Sequence, residues 1–71
     1  MLDHGADIHY QDKDKDTPLH WAVYGDKLEA VKLLIQRGAD KNLANRVFQT
    51  PLNCAKDFYK ISIVDYLSSL L

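Results

Sequence analysis

Residues 17–42, TPLHWAVYGDKLEAVKLLIQRGADKN, carry the start and stop signals of two short helices. Thr17 is a good N-cap, because its hydroxyl can accept from a free backbone N–H of the first turn. Pro18 then stands at the first helical position, where a missing N–H costs nothing and φ is already set. These signals predict a helix over 18–24, with Ala22 small enough for close packing. Leu28, Val31, Leu34 and Ile35 recur at the helical period, while Lys27, Glu29, Lys32 and Gln36 point mostly outward. Gly38 follows as a glycine able to take the left-handed conformation that closes a helix.

The same signals return further along the chain. A shift of 33 positions aligns ten identical pairs without a gap. Gly5-Ala6-Asp7 falls on Gly38-Ala39-Asp40, and Thr17-Pro18-Leu19 on Thr50-Pro51-Leu52. Ala22 meets Ala55, Lys27 meets Lys60, Val31 meets Val64, and Leu34 meets Leu67. Asp12 with Asn45, His20 with Asn53 and Leu28 with Ile61 are similar pairs. The second copy predicts a first helix over 51–58. Its second helix is expected to place Ile61, Val64, Leu67 and Leu71 on one face, widened by Ile63, Tyr66 and Leu70. A polar stretch, 40–49, joins the two copies as an extended finger or turn.

Composition narrows the function classes. The chain has 71 residues, so it holds one small core and no separate catalytic half. Nine basic residues against ten acidic ones lack the electrostatic footprint of a nucleic-acid binder. No apolar run is long enough to span a membrane. Residues 1–5 lack the basic and apolar regions of a secretory signal, so none is expected. Cys54 is the one cysteine, so no intrachain disulfide forms, in keeping with a reducing compartment. A cytoplasmic setting is expected, with the nucleus or delivery into a host cell left open.

The period of 33, Thr-Pro-Leu-His at 17–20 and Gly-Ala-Asp at 38–40 together resemble the ankyrin repeat. The resemblance covers nearly the whole chain. It implies an all-α repeat solenoid of stacked helix-turn-helix units joined by β-turn fingers. Residues 1–9 read as the end of a preceding repeat, 10–42 as a complete repeat, and 43–71 as a C-terminal capping repeat. Ser62, Asp65, Ser68 and Ser69 give the last helix a polar outer side. The front of the first helix pair has no such cap. Because about three such units are usually needed for stability, the chain reads as the C-terminal piece of a longer array. Self-association through the uncapped side is the alternative.

Several positions depart from the family pattern. A glycine is expected at the finger tips, where Asp14-Lys15 and Val47-Phe48 stand. Phe48 is a poor turn residue and Val47 is β-branched, so either the second finger adopts another turn or contacts hold these side chains. Between the helices Asp26 replaces a glycine, a mild change for a residue that tolerates left-handed geometry. Phe58-Tyr59 takes that place in the last unit, so the second inter-helix turn is expected to differ from the first.

Catalytic chemistry finds little material. Asp12-Lys13-Asp14-Lys15-Asp16 imitates the start of a calcium loop, but Thr17 and Val23 stand where glycine and glutamate are required. It reads as a solvated finger. His4 and His9 with Asp7 match no compact ligand spacing. His20 is expected to be structural, since its equivalent Asn53 lacks an imidazole. Cys54 aligns with Trp21 on a first helix and is expected to be packed rather than nucleophilic. No cofactor or metal is implied, and no enzyme activity.

The resemblance implies that contact positions lie on fingers and first helices. They map to Lys13, Asp14, Asp16, Arg46, Val47 and Gln49 on the fingers, and to Tyr24, Gly25, Asp57 and Phe58 at the helix ends. Phe48 lies beside them. One reading is an apolar patch centred on Val47, Phe48 and Phe58, rimmed by Arg46 and Asp57. The other has Phe48 folding back onto its own unit, or Phe58 only closing a turn. The expected function is a non-enzymatic protein–protein interaction module. The alternative is a structural spacer or cap whose only contacts are upstream repeats of its parent chain.

Overall fold

Both threonine–proline pairs do what their chemistry predicts. In the computed structural model, which describes residues 8–70, helix α1 spans Pro18–Tyr24 and α3 spans Pro51–Asp57. Each threonine takes part in a capping box. The Thr17 hydroxyl accepts from the His20 backbone N–H at 3.3 Å, and the Thr17 N–H donates to His20 Nδ1 at 3.1 Å. Thr50 and Asn53 repeat the exchange at 3.3 and 3.1 Å. Two orphan donors are thereby satisfied at each start. Helices α2, Leu28–Gln36, and α4, Ile61–Ser68, complete the two units, and the described residues contain no strand.

The two units stack like on like. α1 packs on its own α2 and on α3, while α4 packs on α3 and on α2. The core is built from both units: Leu19, Val23, Val31 and Leu34 meet Cys54, Ala55, Ile63 and Leu67. Ile63 and Leu67 are sealed, and fully burying such a side chain contributes roughly 1.5–3 kcal/mol.

Ile61 corrects the expected face of the last helix. It is 67% exposed, whereas Ile63, taken from sequence as a flanking residue, is completely buried. The reason is one-sided cover. Leu28, the equivalent of Ile61, is half-buried beneath the second unit, and among the described residues no third unit covers Ile61. Leu52 and Val64 are likewise only half-buried, although their counterparts Leu19 and Val31 are sealed. Leu71 lies outside the described residues.

Three helix ends close in the same way. Gly38, with φ 95°, donates to the Ile35 carbonyl, and Ala39 donates to that of Leu34 at 2.9 Å. Asp26, φ 55°, donates to Val23, and Lys27 to Ala22, also at 2.9 Å. Tyr59, φ 57°, donates to Lys56, and Lys60 to Ala55, again at 2.9 Å. Each is a Schellman closure, with the left-handed residue at C′. The second inter-helix turn therefore matches the first, contrary to expectation. The closing carbonyls set this geometry, and Tyr59 accepts the backbone cost.

The fingers are also copies. Asp12 Oδ1 accepts from the N–H groups of Asp14 and Asp16 at 2.9 and 3.0 Å. Asn45 Oδ1 accepts from Val47 and Gln49, both at 3.0 Å. The tips close through Lys15 N–H to the Asp12 carbonyl and Phe48 N–H to that of Asn45. Lys15 and Phe48 sit at φ 61° and 64°. Neither expected explanation for Val47-Phe48 holds: the second finger uses the same turn, and Phe48 is 87% exposed rather than held by packing. A side-chain oxygen at the start of each finger organises both.

His20 does more than cap. Its Nε2 lies 2.8 Å from the Gln49 carbonyl in the next finger, so the ring donates there while Nδ1 accepts at Thr17. Asn53 caps without such a reach. Replacing His20 with Asn should therefore retain the cap, empty a sealed site and delete the link. A loss of about 2–3 kcal/mol is expected in urea unfolding, against less than about 0.5 kcal/mol for Asn53→His. Comparable losses for the two variants would show that His20 serves its own helix alone.

Left-handed geometry costs a residue with a Cβ about 1–2 kcal/mol, and glycine returns part of that gain through its freer unfolded chain. Phe48→Gly is therefore expected to stabilise the chain by about 0.5–1 kcal/mol, raising the thermal midpoint by several degrees. A lowered midpoint would mean that the phenyl ring contributes packing despite its exposure.

Candidate functional site

The fingers and first helices bring most of the sequence-derived positions to one side, but not as one patch. A row of rings crosses the two units. Trp21 meets Tyr24 edge-on with centroids 5.5 Å apart, and Tyr24 meets Phe58 edge-on at 5.7 Å. Trp21 and Phe58 are about half exposed and Tyr24 is half-buried between them. Tyr24, Phe58 and Lys60 line a shallow hollow of about 300 Å³. The row arises because α1 and α3 end at equivalent places, so Tyr24 faces Phe58 of the next unit.

Val47 and Phe48 open onto different hollows. Val47 shares one of about 210 Å³ with Asp14, Asp16, Tyr24, Asn45, Arg46 and Gln49. Phe48 lines a separate groove with Gln11, Lys15, Leu43, Ala44, Asn45 and Arg46. The three apolar residues thus line three hollows: Phe58 shares one with Tyr24, Val47 one with Tyr24 and the finger carboxylates, and Phe48 one with the cations. The reading in which Phe48 folds back onto its unit fails on its exposure.

Asp16 is a joint rather than a free contact. It is buried, and its Oδ1 accepts from the Tyr24 hydroxyl at 2.7 Å and from Asn45 Nδ2 at 3.1 Å. Gln49 is half-buried; its amide nitrogen donates to Asp57 Oδ2, and its Oε1 accepts from Cys54 Sγ at 3.6 Å. Lys13 and Asp14 stay exposed at the first tip. Arg46 is strapped across the fingers, donating through Nη2 and Nε to the Lys13 carbonyl at 2.7 and 3.3 Å. Gly25 and Asp57 are exposed at the helix ends.

Asn45 escaped the sequence reading as a site residue. It is buried, holds its own finger through Oδ1, and reaches the preceding unit through Nδ2. The alignment with Asp12 was the available signal. A carboxylate at 45 could organise the finger but could not donate to Asp16, and only an amide does both.

Electrostatics follows from this network. Tyr24 ionises well above the usual phenol range, because burial and then the Asp16 carboxylate oppose a phenolate, with Cys54 adding to this against Asn45. Burial pushes the Cys54 thiol up, assisted by Asp16 and Asp57 and opposed by the Tyr24 hydroxyl. Cys54 meets Tyr24, Asn45 and Gln49, and its raised thiol does not resemble an activated nucleophile. Asp12 feels a raising effect of burial, outweighed by the Asp16 N–H, the Trp21 indole N–H, the Asp14 N–H and Lys13, so its carboxyl ionises below the usual range.

The carboxylates of Asp12, Asp14 and Asp16 approach within 4.8 Å of one another. Their oxygens already serve the fold: Asp12 Oδ2 accepts from Trp21 Nε1 at 3.0 Å, and Asp16 Oδ1 has two donors. His9 Nε2 accepts from the Asp40 N–H at 3.0 Å, while His4 and Asp7 lie outside the described residues.

The network generates a pH dependence. Tyr24 has its folded pKa raised, so its contribution is fully present below the unfolded value of about 10 and is lost as pH climbs through the folded value. Tyr24→Phe should cost about 1–2 kcal/mol at neutral pH by removing a donor to a carboxylate. It should also flatten the alkaline decline of stability. Equilibrium unfolding across pH 8–12 checks both, and an unchanged alkaline limb in the variant would assign that limb to other groups.

A family model for ankyrin repeats (3 copies) matches residues 1–70. Alpha-latrotoxin-Lh1a of Latrodectus hasselti is 41% identical over 63 residues, which cover 89% of this chain and 5% of that protein. BCL-6 corepressor-like protein 1 of Homo sapiens is 39% identical over 71 residues, covering 99% of this chain and 4% of that protein. A putative ankyrin repeat protein of Rickettsia felis is 42% identical over 59 residues, covering 76% of this chain and 26% of that protein. The chain therefore spans a small part of the length of these relatives. Ankyrin repeats are generally protein–protein interaction modules and generally not enzymes. Stacked helical hairpins, matching fingers and the family match over residues 1–70 agree: the chain belongs to the ankyrin repeat family.

Proposed function

We propose that this chain is a non-enzymatic module that binds another protein through the row Trp21–Tyr24–Phe58 and the neighbouring finger positions. One observation carries the reading: three aromatic rings stand edge to face across two units, and the two outer ones are about half exposed. Tryptophan and tyrosine are enriched among residues that dominate binding energy, and a ring already fixed by its neighbour loses little entropy on contact. Arg46, Val47 and Asp14 share a hollow with Tyr24 and form a polar and apolar rim, Lys13 follows at the finger tip, and Asp57 precedes Phe58 in the chain.

A second reading has its own support. Trp21 occupies the place that Cys54 holds in the second unit, and Cys54 is sealed by the first unit. An upstream repeat of a parent chain, or a second copy of this one, would cover Trp21 in the same manner. Under that reading Trp21 is a packing residue and the chain is a spacer or cap. On the far side, Asn53 and Lys56 are exposed where His20 and Val23 are sealed, which suits an end unit.

Phe58 separates the readings, because it lies on the row and away from Trp21's end. Phe58→Ser should leave unfolding within about 1 kcal/mol, since half the ring is already exposed. It should weaken capture of a protein partner by about tenfold or more, measured by titration against the partner isolated with the longest available parent chain. Undiminished capture by Phe58→Ser, with loss confined to Trp21→Ser, would favour the spacer reading.

A further inference from the structure

The groove beside Phe48 is distinct from the aromatic row. Gln11 and Lys15 of the first finger form one wall; Leu43, Ala44, Arg46 and Phe48 of the second form the other, around about 520 Å³. Gln11 Nε2 bridges the walls, donating to the carbonyls of Lys15 and Ala44 at 3.1 and 3.2 Å. Leu43 and Ala44 are half-buried and give an apolar floor.

Charge is sorted between the two sides of the fingers. Asp14 and Asp16 line the hollow shared with Tyr24, and among the described residues no carboxylate lines the Phe48 groove. Its cations are Lys15 and Arg46. Arg46 is held by a carbonyl, which fixes the guanidinium without cancelling its charge. Among the described residues neither cation pairs with a carboxylate.

Backbone geometry adds an independent observation. Lys15 and Phe48 occupy the same position in the two fingers, and both are left-handed. A bulky residue there is an outlier, and Phe48 gives the fold nothing visible in return, being 87% exposed. Strain of this kind persists at sites with another task.

We propose that this groove binds an acidic peptide segment of a partner protein that carries an apolar side chain. The apolar side chain rests on Leu43, Ala44 and Phe48, and flanking carboxylates meet Lys15 and Arg46. Two cations, of which Arg46 is held in place by the Lys13 carbonyl, beside an exposed ring supply affinity that depends on salt and discriminates against basic segments.

The probe is a fluorescein-labelled decapeptide of alternating Glu and Leu, read by anisotropy with the full chain. A Lys/Leu peptide, a Glu/Ser peptide and phosphatidylserine vesicles are the comparisons. The Glu/Leu peptide should bind about tenfold or more tightly than either other peptide and weaken as salt rises. Lys15→Glu and Phe48→Gly should each weaken it by about tenfold, while Glu29→Gln changes nothing. Phe48→Gly is the informative variant, because its thermal midpoint should rise as its affinity falls, which excludes unfolding as the cause. Equal binding of the Lys/Leu peptide, undiminished binding by Phe48→Gly, binding of the vesicles but not the Glu/Leu peptide, or no peptide binding would each overturn the proposal.

Discussion

A helical hairpin of this size cannot bury both its sides, so the structure depends on the joint between the two units. That joint is apolar in bulk and polar in detail. Val23, Leu19 and Val31 are sealed only because the second unit lies against them. Several directional links cross between the units, and two start from buried side chains: His20 Nε2 to the Gln49 carbonyl, and Asn45 Nδ2 to the Asp16 carboxylate. Both run from a side chain of one unit to the finger region of the other. Buried polar groups cost free energy unless paired, so a shifted register would strand several of them at once. The described residues leave no buried side-chain nitrogen or oxygen without a partner. Packing brings the hairpins together, and this small polar set decides where they stop.

The helices were legible because their signals are local. Thr-Pro sets a start and Gly38 sets an end without reference to anything distant, and α1 has the bounds that the sequence predicts. The repeat itself was legible as a period of 33. What escaped were properties that depend on neighbours. Ile61 reads as a core residue by spacing, yet it is exposed because cover comes from a following unit. Asp16 reads as a finger contact, yet Tyr24 and Asn45 enclose it. The turns at Phe48 and Tyr59 were misjudged for the opposite reason. Residue preference argued against left-handed geometry, and the hydrogen bonds of the finger and helix end outweighed a cost of about 1–2 kcal/mol.

Position in the repeat also separates what the surface can do. Val47 and Phe48 are adjacent in sequence, so a linear reading joins them, but Phe48 takes the left-handed place in the finger turn and the two side chains line different hollows. The result is one hollow bordered by carboxylates and the Tyr24 ring, and another bordered by cations and the Phe48 ring. Arg46 lines both and is fixed between them by the Lys13 carbonyl. Because the acceptor is main chain, residue 13 can change its side chain without loosening that strap.

Trp21 is the chain's sole tryptophan, and its indole N–H rests on Asp12 Oδ2, the carboxylate whose other oxygen shapes the first finger. Its ring also abuts Tyr24, which is tied to Asp16 at the end of that finger. The chromophore is therefore wired to both ends of one loop while remaining half open to solvent. Its ultraviolet emission serves as a built-in gauge of finger geometry, readable without a label or an added dye.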